Sequence, residues 1–167
     1  NNLGKGYGLK KGLFYIIDNF EYIDNIIFAD ADGQHIEKDI ISIRQRIEIE
    51  KNDDIFVIGN RLHNNLTPYK NLFANKFFNY FFKKKLNLNI QDSLCGLRAI
   101  KFNYAKYIAE LKYNDFRFEV EMIIYLKKNH YKLIEEEISS IYFQGNKSTL
   151  SILDSLKLLN ILFFFKK

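Results

Sequence analysis

The sequence predicts an α/β fold whose parallel strands bring polar side chains to one edge of a sheet. Two short apolar segments, 24–28 and 54–61, each end in polar residues, and a segment with helical periodicity, 39–50, lies between them. A strand, a helix and a strand joined by short links favour parallel pairing. Parallel strands place their carboxyl ends at a common edge, which is where open α/β sheets bind ligands.

Composition limits the classes of protein that fit. The chain has 167 residues, of which 47% are apolar and 16% aromatic, which suits one domain with a substantial core. Its formal charge of +5 suits an anionic partner such as a nucleotide-sugar, a nucleic acid or an acidic lipid surface. The charge does not choose among these partners, although nucleic-acid binding would favour basic residues on one stripe and here they are scattered. The single cysteine, Cys95, excludes an internal disulfide and fits a reducing compartment.

The most informative stretch follows the first apolar strand. Asp30 and Asp32 are spaced i, i+2, and Gly33, Gln34 and His35 come directly after them. Hard divalent cations prefer oxygen ligands, and a Mg²⁺ ion held by one or two carboxylates usually also binds substrate phosphates. The sequence therefore predicts a metal and diphosphate site at the end of this strand.

Two other polar features fit an anionic ligand but also have plainer explanations. Three glycines around Lys5 precede the apolar segment 9–20, which indicates a loop entering a helix. The N–H groups at a helix N-terminus favour phosphate, although a tight turn before a helix explains the glycines equally well. Arg61 ends the second strand, where a guanidinium can bind phosphate bidentately or simply lie on the surface.

The second half of the chain offers further residues with two interpretations each. Segment 71–85 is aromatic and basic, which is typical of a core helix with a solvated end or of an interfacial helix on anionic lipid. Asp92 lies in a loop, where a carboxylate can act as a base. Cys95 lies among leucines, which favours a structural thiol over a nucleophile. Glu119 and Glu121 occupy the first turns of a helix, where the helix dipole alone explains them.

Several other kinds of site are disfavoured. His35, His63 and His130 lack zinc-ligand spacing, and there is one cysteine. The pattern of a calcium-binding loop is absent, as is the G-x-S-x-G motif of many serine hydrolases.

Taken in order, the motifs resemble those of the family 2 glycosyltransferases, and among them most closely the dolichyl- or polyprenyl-phosphate sugar synthases. The motifs are Asn2-x-Gly4-Lys5-Gly6, Asp30-Ala31-Asp32-Gly33-Gln34-His35, Gly59-Asn60-Arg61, Asp92-Ser93-Leu94-Cys95-Gly96-Leu97-Arg98, Phe118-Glu119-Val120-Glu121 and a tail over 138–155. The resemblance covers essentially the whole chain.

The resemblance implies a GT-A fold, which is a Rossmann-like mixed sheet flanked by helices, and residues 1–167 would form a single partial catalytic domain. It implies an inverting transfer of a sugar from a UDP- or GDP-linked donor to a polyprenyl or dolichyl phosphate. It also implies a cytoplasmic protein at the inner face of the membrane, with no nucleic acid as partner. The alternative is a non-catalytic basic module that binds membrane lipid or nucleic acid.

The resemblance also implies roles for individual residues. Asp30, Asp32 and Gln34 match metal-binding positions for Mg²⁺ or Mn²⁺. Substrate-binding roles fall on Lys5, Gln34, Arg61 and Lys76, with Arg61 contacting the lipid phosphate. Catalytic roles fall on Arg61, Asp92 and Glu121, with Glu119 near them.

One departure concerns the start of the chain. The family's Pro-x-Tyr-Asn-Glu strand and Asp-Asp-Gly-Ser segment, which hold the nucleotide base and ribose, are not found in this sequence. We therefore expect that the first βαβ portion is missing and that this chain by itself binds nucleotide-sugars weakly or not at all.

Overall fold

The computed structural model describes residues 3–61, 69–139, 157–158 and 160–161, with the side chains of 69–71 left aside. These residues form a mixed α/β structure with a four-stranded mixed sheet and flanking helices. The sequence at 145–165 favours a turn followed by a last helix, but most of that segment lies outside the described residues.

The strands predicted at 24–28 and 54–61 and the helix predicted between them occur in that order, among further elements. The elements are α1 (Lys5–Asn19), β1 (Asn25–Phe28), α2 (Glu37–Ile49), β2 (Ile55–Arg61), α3 (Tyr69–Leu86), β3 (Arg98–Lys101), a 3-10 turn (Phe102–Tyr104), α4 (Ala105–Ala109), α5 (Arg117–Lys128) and β4 (Lys132–Ile138).

The sheet has the strand order β1-β3-β2-β4. β1 and β2 run in the same direction, as expected, but the prediction that they pair directly was wrong. β3 lies between them and is antiparallel to both, with Arg98 opposite Phe28 on one side and Ile58 on the other. β4 pairs in parallel with β2, so that Arg61 lies beside Ile138. The ends of β1, β2 and β4 and the start of β3 therefore share one sheet edge, which we call the carboxyl edge.

The core lies on both faces of β2. Residues 55–58 are fully buried, as a central strand covered on both faces requires. Helix α2 packs across all four strands and buries Ile43 and Ile47, which are spaced i, i+4 on one face. Helix α1 packs instead on α4 and α5.

Glycines at the start of the chain allow helix α1 to pack closely on its neighbours. Helix α1 begins at Lys5, earlier than predicted, and Gly4 precedes it at φ 98°. A Cβ on Gly6 would lie 2.6 Å from the Cβ of Phe118. Gly4 and Gly6 thus let the start of α1 lie closely against residues 114–118, and they do not form an open loop.

Helix α3 buries one side and exposes the other. Asn75, Phe78 and Phe82 are buried, whereas Phe73 and Phe77 are exposed. Among the described residues, no helix is both long enough and apolar enough to cross a membrane.

Candidate functional site

Buried polar side chains gather at the carboxyl edge. Among the described residues, the buried polar or charged ones are Asp39, Asn75, Asp92, Ser93 and Arg98. Each is bonded to, or forms part of, a segment at this edge. Asp39 in α2, for example, accepts hydrogen bonds through Oδ1 from the N–H and the hydroxyl of Ser139, the residue that follows β4.

The central pair of the cluster joins Arg61 to Asp92. The guanidinium donates from Nε to Oδ2 at 2.6 Å and from Nη2 to Oδ1 at 2.8 Å, and the Arg61 backbone N–H adds a bond to Oδ2 at 3.1 Å. Burial would raise the pKa of Asp92, but the bonds from Arg61 outweigh it and hold the pKa below its usual value. A fully buried carboxylate with both oxygens engaged is suited to positioning Arg61 and poorly placed to accept a proton from a substrate.

Three further side chains hold the loop that carries Asp92. Asn75 donates to Asp92 Oδ1 at 2.7 Å, and Asn79 donates to the carbonyl of Gln91. Glu135 on β4 accepts the N–H groups of Gln91 and Asp92. The sequence patterns did not indicate these three residues. The available signal was Asn75, a polar residue on the same helical face as Phe78 and Phe82.

Arg98 ties this loop to helix α5. Its guanidinium donates to the carbonyls of Cys95 at 2.7 Å, Glu119 at 2.8 Å and Ser93 at 3.1 Å, and the residue is 1% exposed. Cys95 is buried, as predicted for a structural thiol, and burial raises its pKa to about 12. A thiol with that pKa is not a nucleophile at neutral pH.

A second charged group lies beside the first. Lys5 contacts Asp30 Oδ1 at 2.5 Å and Glu119 Oε1 at 3.0 Å. Burial lowers the pKa of Lys5, but Glu119 and Asp30 together outweigh it, so the pKa is raised. A Cβ on Gly96 would lie 2.2 Å from Asp30 Oδ2, so the Asp30 carboxylate rests directly against the Gly96 backbone. Only glycine leaves room for it there.

The residues after Asp30 form an exposed turn. Asp32 Oδ1 accepts the N–H of Gln34 at 3.0 Å, and the Asp32 side chain faces solvent. Burial lowers the pKa of His35, against opposing effects of Asp30 and Asp32, and the charge of Arg61 lowers it further. His35 is therefore close enough to Asp30, Asp32 and Arg61 to feel the charge of each, so these groups lie near one another.

The donor set fits a hard divalent cation that completes its coordination with phosphate and water. Among the described residues, no group of three or more His, Cys, Asp and Glu side chains is arranged to hold a metal ion. Mg²⁺ does not require such a group, since it is commonly held by one or two carboxylates together with substrate oxygens. Asp30, Asp32 and Gln34 carry oxygen atoms of that chemical type on one short turn.

Two residues predicted for the site lie elsewhere. Both oxygens of Glu121 accept backbone N–H groups, from Lys112 and Tyr113, and so hold the loop before α5. Glu119 contacts Lys5 instead, because residues two apart on a helix point to different sides. Lys76 is exposed on α3, and its neighbour Asn75 is the residue that reaches Asp92.

Comparison with known proteins found one similar archaeal chain. No family model matches the sequence. The chain is 34% identical over 128 residues to the "Uncharacterized protein MJ1222" of Methanocaldococcus jannaschii, a match that covers 74% of this chain and 52% of the archaeal protein. The chain thus spans about half the length of the curated relative it matches.

Proposed function

We propose that this chain is the metal-binding and acceptor-binding part of an inverting, family 2-like glycosyltransferase with a GT-A fold. The enzyme would transfer a sugar from a UDP- or GDP-linked donor to a polyprenyl or dolichyl phosphate. The main support is the meeting of two groups at the carboxyl edge: the carboxylates of Asp30 and Asp32, and the guanidinium of Arg61 held by a buried Asp92. The mixed sheet and the order of the motifs fit the same proposal.

On the donor side, Asp30, Asp32 and Gln34 would hold Mg²⁺ or Mn²⁺. Such an ion neutralises the charge that develops on a departing nucleoside diphosphate. Lys5 orients Asp30 through their ion pair, and Glu119 shares that ammonium from the other side. Gly96 leaves room for the Asp30 carboxylate beside the backbone, and this contact together with the Lys5 ion pair would hold the carboxylate in place before a ligand binds.

On the acceptor side, Arg61 would bind the phosphate that attacks the sugar. Asp92 fixes the orientation of the guanidinium with two side-chain bonds, and preorganised donors are those that contribute most to binding and catalysis. A phosphate monoester has its second pKa near about 6, so the nucleophile is already ionised at neutral pH. The buried Asp92 therefore does not need to remove a proton.

The decisive experiment uses Asp30→Asn and Asp32→Asn in the protein expressed from its complete reading frame. Transfer of labelled sugar from UDP-glucose and GDP-mannose to polyprenyl phosphate, measured with Mn²⁺ present, should fall by roughly a hundredfold or more with either change. Asp53→Asn, an exposed carboxylate elsewhere on the chain, is the matched control. If transfer survives both changes, the metal assignment is wrong.

A further inference from the structure

The net charge of the chain resides on one helix. Helix α3 (Tyr69–Leu86) contains five lysines and no acidic residue. The whole chain has 25 Lys and Arg residues against 20 Asp and Glu, a formal charge of +5. Outside α3 the basic and acidic residues are therefore equal in number. The five lysines of α3 equal the formal net charge of the chain.

An aromatic stripe runs along the outer side of the same helix. Phe73, Phe77, Tyr80 and Lys84 follow each other at spacings of four, three and four residues, which keeps them on one helical face. Phe73 is 74% exposed, Phe77 36% and Tyr80 57%. The rings of Phe73 and Phe77 stack with centroids 6.4 Å apart, and Lys84 Nζ lies 5.7 Å from the Tyr80 ring. Large aromatic side chains in contact with water are costly unless another surface covers them.

Exposed lysines border this stripe. The Lys76 and Lys83 side chains lie beside it in the helical order and are exposed, as is Lys84 at its end. The opposite side of α3 is fixed to the site, since buried Asn75 bonds Asp92, which in turn holds Arg61. The orientation of the outer face is thus set relative to the arginine that would bind an acceptor phosphate.

We propose that the outer face of α3, formed by Phe73, Phe77 and Tyr80 with Lys76, Lys83 and Lys84, docks the protein on an anionic lipid bilayer. Helices that lie in a membrane interface combine aromatic and apolar side chains with lysines on the flank. Aromatic rings favour the headgroup level, and each lysine near an anionic surface adds attraction. The inference rests on the proposed function in one respect: docking on a bilayer would serve to bring a lipid-linked acceptor to Arg61.

The shape of the surface favours a bilayer over nucleic acid. Proteins that bind single strands use a positively charged groove that follows the backbone, with aromatic side chains on which bases stack. Here the aromatic residues lie along the convex outer side of a single helix, and the basic side chains of that helix are all lysines.

The test is flotation of the 167-residue chain with vesicles, without nucleotide-sugar or metal. Vesicles of equal parts phosphatidylglycerol and phosphatidylcholine should bind the chain, and vesicles of phosphatidylcholine alone should not. Changing Lys76, Lys83 and Lys84 together to Gln should weaken binding on the order of a hundredfold, about fivefold per lysine. Changing Phe73 and Tyr80 to Ala should weaken it at least about tenfold.

Matched controls distinguish binding through this surface from binding that depends only on the total charge or on exposed aromatic rings in general. Changing the exposed Lys38, Lys51 and Lys106 to Gln removes the same charge from other parts of the chain. Changing the exposed Tyr22 and Tyr107 to Ala removes aromatic rings elsewhere. Both controls should bind vesicles as the parent does. All four altered residue sets are exposed, so circular dichroism should show an unchanged fold.

Three results would overturn the proposal. They are an absence of binding to anionic vesicles, equal losses in the control and α3 variants, and tighter binding to a single-stranded oligonucleotide than to the vesicles. The outcome is independent of the transferase assignment. A chain that binds vesicles through α3 while the complete protein transfers no sugar contradicts only the proposed function. A protein that transfers sugar but does not bind vesicles contradicts only this inference.

Discussion

Charged side chains are buried at one edge of the sheet and exposed at the other. At the carboxyl edge, Asp92 and Arg98 are withdrawn from water and held by networks of hydrogen bonds. At the opposite edge, Asp24 and Asp53 line an open cavity of about 430 Å³ and remain exposed. Lys101 at that edge donates a hydrogen bond from its ammonium to the carbonyl of Ile47.

The difference is informative because buried charge is expensive. Removing an ion from water costs several kcal/mol, and its ion pair repays this only when geometry and additional hydrogen bonds are good. The fold could have closed the carboxyl edge with apolar side chains, as it closes the centre of β2. Charge kept there at such a cost supports the proposal that this edge orients a ligand.

The largest expected effect comes from breaking the central ion pair. Arg61→Met leaves the Asp92 carboxylate buried without its main partner, so the free energy of unfolding should fall by about 3–5 kcal/mol. At the opposite edge, Lys101→Met removes one hydrogen bond from a partly exposed group and should cost about 1 kcal/mol. Urea denaturation of both variants measures the contrast. Equal losses would mean that the two edges do not differ energetically.

A change of intermediate size tests the packing of Asp30. Gly96→Ala places a methyl group against the carboxylate, which must move, and overpacking of this kind costs about 1–3 kcal/mol. Because Asp30 would be displaced, affinity for Mn²⁺ should fall by about 10–100-fold, as it does when supporting groups of a metal site are altered.

Gly12→Ala is the matched control for this change. Gly12 lies inside helix α1, and apart from that helix no atom of the described residues lies within 4 Å of a Cβ built there. Alanine there should stabilise the protein by about 0.5–1 kcal/mol and leave Mn²⁺ binding unchanged. Calorimetric titration with Mn²⁺ and thermal unfolding compare the two variants. Unaltered Mn²⁺ affinity in Gly96→Ala would show that Asp30 is not a ligand.

The smallest expected effect appears in acid. The pKa of Asp92 is lowered in the folded protein from 3.8, so the unfolded chain binds this proton more readily. The stability it contributes is present above pH 3.8 and is lost as the pH falls through the lower folded value. Asp92→Asn should lack this component of acid destabilisation. Urea midpoints of both proteins, followed down through pH 3.8, test it, and parallel curves would contradict the assignment.

Sequence patterns predicted the strands and helices well where local signals were strong. The strands at 25–28 and 55–61 and the helices α2 and α3 lie close to their predicted bounds. The acidic turn and the arginine were expected at a common edge, and they are there. Pairing was predicted less well, because β3 is short and nothing local shows that it inserts between β1 and β2.

The composition of the site was also only partly predictable. Asn75, Glu119 and Arg98 come from a helix face, a second helix and the start of a strand, and no local pattern relates them. The family resemblance assigned the catalytic role to Glu121, whereas the rotation of α5 makes Glu119 the carboxylate that contacts Lys5.

The sequence by itself determined the chemical inventory: two carboxylates after a buried strand, an arginine after another, and a helix that carries all of the excess positive charge. These features follow from the periodicity and order of residues along the chain, which do not depend on tertiary contacts. The tertiary structure decided which groups are paired and therefore what each can do. Asp92 could act as a base as far as the sequence shows, but in the folded protein it is buried and orients Arg61. In the same way, the Gly96 backbone and Lys5 turned Asp30 from an exposed carboxylate into a fixed one, because desolvation and partner geometry exist only after the chain has folded.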